Sequence, residues 1–217
     1  MIFLTKSKIA ALLIIFFLQS CGIAPIYQVI GESIYNGVAG FQHKDLAIDE
    51  IKKIEYSFIE AKLGKGKPAI MVLQNFTDDK YKWVSASNEY IETNQNGRIL
   101  MTFGLPNNLK IISKVDSMNF RDMSFPHHVS QLLDFDEPFL NGLHQNSTFF
   151  LAGETDDCFI YRSVNRKCIE IIETFDADSI DWKGKNRYLL DPDTFQVIEA
   201  QVRTHPFLPI MTIRFYL

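Results

Sequence analysis

The sequence predicts an all-β protein: a single antiparallel sheet, strongly curved or barrel-like, with short helices at the N-terminus. Three observations carry that reading. The run "IMTIRFYL" (210–217) alternates strictly, with Met211, Ile213, Phe215 and Leu217 on one face and Thr212 and Arg214 on the other. That is the period of a strand with one buried side. Strand-like runs recur along the chain, punctuated by Gly, Pro, Asn and Asp. The chain also holds 18 phenylalanines, most of them in alternating stretches, enough to fill a β core. Roughly nine or ten candidate strands would leave exposed edges in an open sheet, and closure removes them.

The N-terminus is read first. Lys6 and Lys8 precede an apolar run from Ile9 to Leu18. About ten residues make roughly 15 Å of helix, half of a bilayer core, so the run suits a secretory signal better than a spanning helix. Leu18-Gln19-Ser20-Cys21 closes it and resembles a bacterial lipobox: an aliphatic at −3, a small residue at −1, then cysteine. The expectation is cleavage before Cys21 and acylation of its thiol; the alternatives are an ordinary signal cut nearby or a buried cysteine. Each acyl methylene contributes about 0.8 kcal/mol of membrane affinity, so several chains anchor stably. Gly22, where inner-membrane lipoproteins often carry aspartate, favours delivery to the outer membrane. The expected organisation is a signal peptide over 1–20, a lipidated tether with short helices over 21–50, and one β-barrel-like domain over 51–217.

Removing residues 1–20, which hold two lysines and no acidic residue, takes the net charge from −4 to −6 and leaves 197 of the 217 residues. That length suits one well-packed domain. No basic stripe appears, which argues against a nucleic-acid partner.

Residues 26–39 place Tyr27, Ile30, Ile34 and Val38 at helical spacing, and "DLAIDEIKKI" (45–54) adds a turn or two with Asp45 as N-cap. Strands then begin. "EYSFIEAKLG" and "AIMVLQNF" are joined by the turn "GKGKP" (64–68). Within "YKWVSASNEYIETNQNGRILMTFG" (81–104), Asn96-Gly97 predicts a two-residue type I′ hairpin turn. "NLKIISKV" reads as a further strand, followed by an excursion from Asp116 to Ser147 with a short helix around "HVSQLLDF" (128–135). The strands resume with "TFFLAGE", "CFIYRS", "CIEIIETF", "NRYLLD", "FQVIEAQV" and "IMTIRFYL". Asp191-Pro192-Asp193 is a turn between two of them, and Gly184 after Trp182 suggests another.

Cys158 and Cys168 remain after the anchor cysteine. An exported chain permits disulfides. Val164-Asn165 offers a turn between the two thiols, so antiparallel strands folding back there would bring them together. Register is not readable to one residue, and two free buried thiols stay open as the alternative.

No catalytic motif is present: no G-x-S-x-G, no H-E-x-x-H and no phosphate-binding glycine loop. The expectation is a non-enzymatic protein without cofactor or metal. His127-His128 beside Asp134, Asp136 and Glu137 are residue types that bind metals, but adjacent histidines on an extended chain point in opposite directions. Tyr81, Trp83 and Trp182 are the candidates for stacking on sugar rings; aromatics at strand spacing more often fill the core.

Three stretches, taken in order after the lipobox, resemble one family. They are "AIMVLQNF" (69–76), "WVSASNEYIETNQNGRILMTFGLPNNL" (83–109) and "NRYLLDPDTFQVIEAQVRTHPFLPI" (186–210). Trp-x-Ser with a downstream Asn-Gly-Arg and Gly-Leu-Pro, then an Asp-Pro turn and a Gln-x-x-x-x-Pro-x-x-Pro finish, is similar to the YjbF/GfcB family of group 4 capsule and exopolysaccharide lipoproteins. The similarity is weakest across 116–150, and Thr194-Phe195 stands where family members commonly have glycine after the Asp-Pro turn. The resemblance implies an outer-membrane lipoprotein facing the periplasm, a β-barrel-like fold, and partners among polysaccharide-secretion proteins, with polysaccharide itself a candidate ligand. It supplies no catalytic residues. The implied role is an accessory in capsule or exopolysaccharide export or assembly. The alternative is a carrier holding a lipid or lipid-linked glycan in a barrel cavity, which large inward-facing aromatics would oppose.

Overall fold

A computed structural model describes residues 55–112, 119–156, 158 and 167–217. The signal, Cys21, the tether and its expected helices, and the Val164-Asn165 turn lie outside the described residues.

Twelve strands form among the described residues: β1 (Phe58–Leu63), β2 (Ala69–Thr77), β3 (Lys80–Val84), β4 (Tyr90–Asn94), β5 (Ile99–Phe103), β6 (Leu109–Ile111), β7 (His127–Phe135), β8 (Leu140–Thr155), β9 (Cys168–Ala177), β10 (Trp182–Leu190), β11 (Val197–Val202) and β12 (Met211–Tyr216). Each pairs antiparallel with its sequence neighbours, and β1 pairs with β12 from Phe58↔Tyr216 to Leu63↔Met211, so the sheet is a closed barrel. Closure leaves no edge strand among these elements.

The alternation expected of β12 holds, with Met211, Ile213 and Phe215 in the core. The same period runs through β9, where Ile171, Glu173, Phe175 and Ala177 are all buried, and through β10, where Trp182, Asn186, Tyr188 and Leu190 are buried. The lumen is a packed aromatic and aliphatic core including Trp83, Phe120, Phe135, Phe149, Phe175 and Trp182. The outward positions of the strands carry charge instead, such as Glu60 and Lys62 on β1 or Lys183, Lys185 and Arg187 on β10.

Several expectations are corrected. The segment 128–135 is not a helix but most of β7, paired with β8 from His127↔Phe149 to Phe135↔Leu140. Its buried residues Gln131, Leu133 and Phe135 recur every second position, so the strand period decides over helix propensity. The excursion thus resolves into a 3-10 turn at Phe120–Asp122, β7 and the first part of β8. Gly184 is no turn but an inward position of β10 opposite Phe175. A Cβ there would sit 2.6 Å from the Phe175 ring and 2.8 Å from Arg203 Cδ, so only glycine leaves room for both.

The β4–β5 hairpin is present, but its turn is not type I′. Gly97 has φ +66° while Asn96 does not adopt positive φ. Gly97 N–H donates to the Asn94 carbonyl at 3.0 Å, so the turn spans Asn94–Gly97 with only its last residue left-handed. That is the longer hairpin loop in which a type I turn is followed by a left-handed glycine and a bulge, and a register shift lies at Glu92/Thr93. Asn94 fixes it by accepting from the N–H groups of Asn96 and Arg98, each at 3.0 Å. Asn96 Oδ1 in turn accepts from Phe120 N–H at 3.1 Å, pinning the 3-10 turn to the hairpin tip.

A disulfide joins Cys158 to Cys168 across a Cα–Cα distance of 5.9 Å, near the end of β8 and the start of β9. A ring of this size restricts the unfolded chain by roughly 2–3 kcal/mol.

Candidate functional site

Inside the barrel the apolar alternation gives way to a connected group of polar and charged side chains. Glu173 on β9 lies directly opposite Asn186 on β10 and Phe149 on β8. Its Oε1 accepts from Arg98 Nη2 at 3.0 Å; its Oε2 accepts from Asn186 Nδ2 at 2.9 Å and from Tyr188 Oη at 2.8 Å. Arg98 enters immediately after the Gly97 turn and also donates to Gln131 Oε1 at 3.1 Å, while its guanidinium lies 5.1 Å from the Phe149 ring centre. Gln131 bonds to Gln145, its register partner on β8. Asn186 Oδ1 accepts from Arg203 N–H at 2.8 Å. Arg98 and Glu173 are 7% and 1% exposed, so the ion pair is buried.

The electrostatics follow from that burial. Desolvation works against the charge on Arg98, but Glu173 and Tyr188 beside it outweigh this and hold its pKa above the ordinary value. Burial, and then the Glu173 carboxylate, push the Tyr188 phenol well above its usual range, with Arg98 opposing. Tyr188 is therefore a protonated donor, and Glu173 accepts from three donors, one of them its ion-pair partner Arg98. Beside it lies a cavity of about 30 Å³ lined by Arg98, Gln131, Glu173, Asn186, Tyr188 and Thr204, room for a water or two.

One barrel end is closed by the β11–β12 connection, residues 203–210. The His205 ring packs 4.6 Å from Phe135, and Gly64 N–H donates to Ile210 O at 2.9 Å. Burial lowers the His205 pKa from 6.5, with Asp136 and the Glu137 backbone opposing. A base whose folded pKa is depressed binds fewer protons folded than unfolded below about 6.5, so stability is present above that pH and lost as pH falls through the folded pKa. Thermal midpoints measured from pH 8 down to 5 should decline on the acid side, and His205→Gln should flatten that decline.

The aromatic candidates separate. Trp83 is fully buried, donating Nε1–H to Thr93 Oγ1 at 3.0 Å and meeting Phe215 edge-on at 6.0 Å. Trp182 is buried between Phe135 and Phe175, at 5.6 and 4.7 Å. Neither presents a ring face to a sugar, because β spacing on the inward phase places both in the lumen. Tyr81 is half-buried and stacks between Trp83 and Phe76, 5.7 and 4.6 Å away; Phe76 is the exposed end of the row. His127 and His128 diverge as expected of an extended chain, and His128 contacts Thr148 Oγ1 at 2.9 Å. Among the described residues no cluster of His, Cys, Asp and Glu is arranged to hold a metal.

The buried network was missed in the sequence, though it left a signal. Glu173 lies on the apolar phase of "CIEIIETF", two residues from Ile171 and Phe175, and Asn186 lies on the phase of Trp182 and Tyr188. Polar groups at such positions require partners.

A closed, up-and-down antiparallel barrel whose lumen is filled by side chains around a buried ionic cluster defines the class of this protein. A family profile described as "Group 4 capsule polysaccharide lipoprotein gfcB, YjbF" matches residues 31–215, and the chain belongs to that family. The same fold occurs in the hypothetical lipoprotein YmcC from Escherichia coli (K12): TM-score 0.69, 23% identity, covering 79% of this chain and 89% of that one. A putative lipoprotein from Parabacteroides distasonis aligns at TM-score 0.33 and 7% identity over 75% of this chain and 94% of that one, too distant to inform the reading. Comparison with curated proteins gives no match.

Proposed function

We propose that the protein is an outer-membrane lipoprotein, anchored through Cys21 and facing the periplasm, that acts as a non-enzymatic accessory in export or assembly of a capsule or exopolysaccharide. The observation that carries this is family membership extending across the whole described barrel. Two features support it. The barrel is apolar inside and charged outside, the reverse of a lipid-embedded barrel, as suits a water-facing domain held by a separate anchor. The buried carboxylate of the lumen is paired with Arg98 and accepts from Asn186 and Tyr188 as well, as suits a structural role. Its partners are proteins of the secretion system, with the polysaccharide itself a candidate ligand. The carrier alternative is weakened by the large aromatic side chains that fill the lumen, among them Trp83, Phe120, Phe135, Phe149, Phe175 and Trp182.

The test is complementation of a deletion strain, with surface polysaccharide measured beside immunoblotted protein. Cys21→Ser is expected to remove fatty-acid labelling, release the protein from the membrane fraction and reduce polysaccharide. Asp134→Asn is expected to leave both abundance and polysaccharide near wild type, since that carboxylate only accepts from Gly142 N–H at 2.8 Å and an amide oxygen can replace it. Full abundance with no polysaccharide in Asp134→Asn would overturn the non-enzymatic reading.

A further inference from the structure

The outer wall of the barrel is not open to water everywhere. On β12, Met211, Ile213 and Phe215 face the lumen, so Tyr216 faces outward, as does its register partner Phe58 on β1. On β10, Tyr188 and Leu190 face the lumen, so Leu189 between them faces outward, opposite Glu199 on β11. Phe58, Leu189 and Tyr216 are nonetheless 1%, 2% and 3% exposed, and none of them belongs to the lumen core. Side chains on the outside of a single-layer sheet reach such burial only beneath a second layer.

The neighbours mark the limits of that layer. Val72, the partner of Phe58 on β2, is exposed, as are Tyr56 just before β1 and Arg214 one outward position before Tyr216. The covered strip therefore runs from Phe58 across Tyr216 to Leu189, over β1, β12, β11 and β10, at the end of the barrel where β1 begins. All twelve described strands lie in the one closed sheet. Of the two 3-10 turns, Phe120–Asp122 puts Phe120 into the lumen core and Asp178–Ile180 joins β9 to β10 at the opposite end. No described element forms the second layer.

We propose that residues 45–54 form a helical strap docked across this strip. As a helix, the segment places Ala47, Ile48, Ile51 and Ile54 on one face and Asp45, Asp49, Lys52 and Lys53 on the other. Ten residues of helix span about 15 Å, and the three strand spacings from β1 to β10 make about 14 Å. The segment leads into β1 through residues 55–57, so it starts at the covered end. The family profile begins at residue 31 and so takes in the whole strap. Other segments fit less well. The loop between Cys158 and Cys168 is closed at its base by the disulfide. It extends about four residues, roughly 14 Å, against about 19 Å from β9 to β1. The connection from Ile112 to Asn119 hangs from β6, half a circuit away from β12.

A lipid-linked chain then meets the barrel on its flank at Asp45, and the spacer after Cys21 is 22–44 rather than 22–54. That spacer rests on the anchoring proposed above; the strap does not. The test begins with hydrogen exchange of the full-length lipoprotein in detergent. Amides of 45–54 are expected to exchange at least about tenfold more slowly than in a free peptide of the same sequence, whatever the protein concentration. Exchange as fast as the free peptide, or protection lost on dilution as a second copy's would be, overturns the strap without any variant. Leu189→Cys then reads the strip itself, with labelling followed at the peptide carrying position 189 so that acylation at Cys21 does not enter. Its thiol is expected to resist maleimide, and to react at least about tenfold faster once Ile48→Ser and Ile51→Ser are added. Asp49→Ser with Lys52→Ser, on the opposite face, is expected to leave it slow. Rapid labelling from the outset, or equal effects of the two pairs, would sink the proposal. Labelling unmoved by Ile48→Ser with Ile51→Ser would do so too, assigning the cover to another segment.

Discussion

Glu173→Gln is expected to destabilise the barrel by about 3–5 kcal/mol, because removing one partner strands the other charge in a low-dielectric interior. For a domain of this size that lowers the thermal midpoint by about 10 °C or more. The neutral amide cannot compensate Arg98, which is buried with its fork already shared between Glu173 and Gln131. It also replaces one acceptor oxygen with an NH₂ group among donors, facing either Arg98 or the Asn186 amide and Tyr188 hydroxyl. Replacing both ions together, Arg98→Met with Glu173→Leu, should cost less than Glu173→Gln alone, since no unpaired charge remains. Calorimetry of the lipid-free mature domain reads both variants. A shift under about 2 °C for Glu173→Gln would mean that water reaches the pair, contrary to the burial seen here.

Gly97→Ala combines two penalties that a second glycine separates. The new Cβ would lie 3.0 Å from Val197 Cγ1 and 3.2 Å from the Phe215 ring, in a backbone held at φ +66°. Left-handed strain of roughly 1–2 kcal/mol and overpacking of about 1–3 kcal/mol give an expected loss of about 2–5 kcal/mol. Gly142 has nearly the same φ, +62°, with nothing within 4 Å of its Cβ position. Gly142→Ala therefore carries the strain alone and should cost about 1 kcal/mol. Equilibrium unfolding in urea measures the difference, which is the packing of the hairpin tip against β11 and β12. Equal losses in the two variants would show that the tip does not press on those strands.

The strand period was legible wherever polar and apolar residues alternate, as in "IMTIRFYL", and it correctly placed Trp83 and Tyr81 on one strand. It misled at "HVSQLLDF", where Val129, Leu132, Leu133 and Phe135 also satisfy a helical spacing. Only the long-range ladder to β8 decides that segment, and pairing across a barrel is invisible locally. The Asn-Gly pair fixed the position of a hairpin but not its turn type, because Asn94 and the glycine together set the geometry through side-chain bonds to Asn96 and Arg98. The lumen cluster draws on the β4–β5 turn, β7, β8, β9 and β10; Arg98 and Glu173 alone are 75 residues apart. No local pattern predicts that convergence. The exposure of Phe139 and Phe207 was equally hidden, since eighteen phenylalanines read as core until the loops are placed.

Joining β1 to β12 also dictates when this protein can fold. The Tyr216 hydroxyl donates to Glu60 at 2.9 Å across 156 residues of sequence, and every rung of that ladder shares a similar separation. Such non-local pairing raises contact order and slows folding, because loop-closure entropy must be overcome before the contacts form. During export, β1 emerges long before β12, and until the last strand arrives both strands present open edges to any neighbouring chain. The lifetime of the unclosed chain, rather than the stability of the finished barrel, then sets how much protein escapes aggregation.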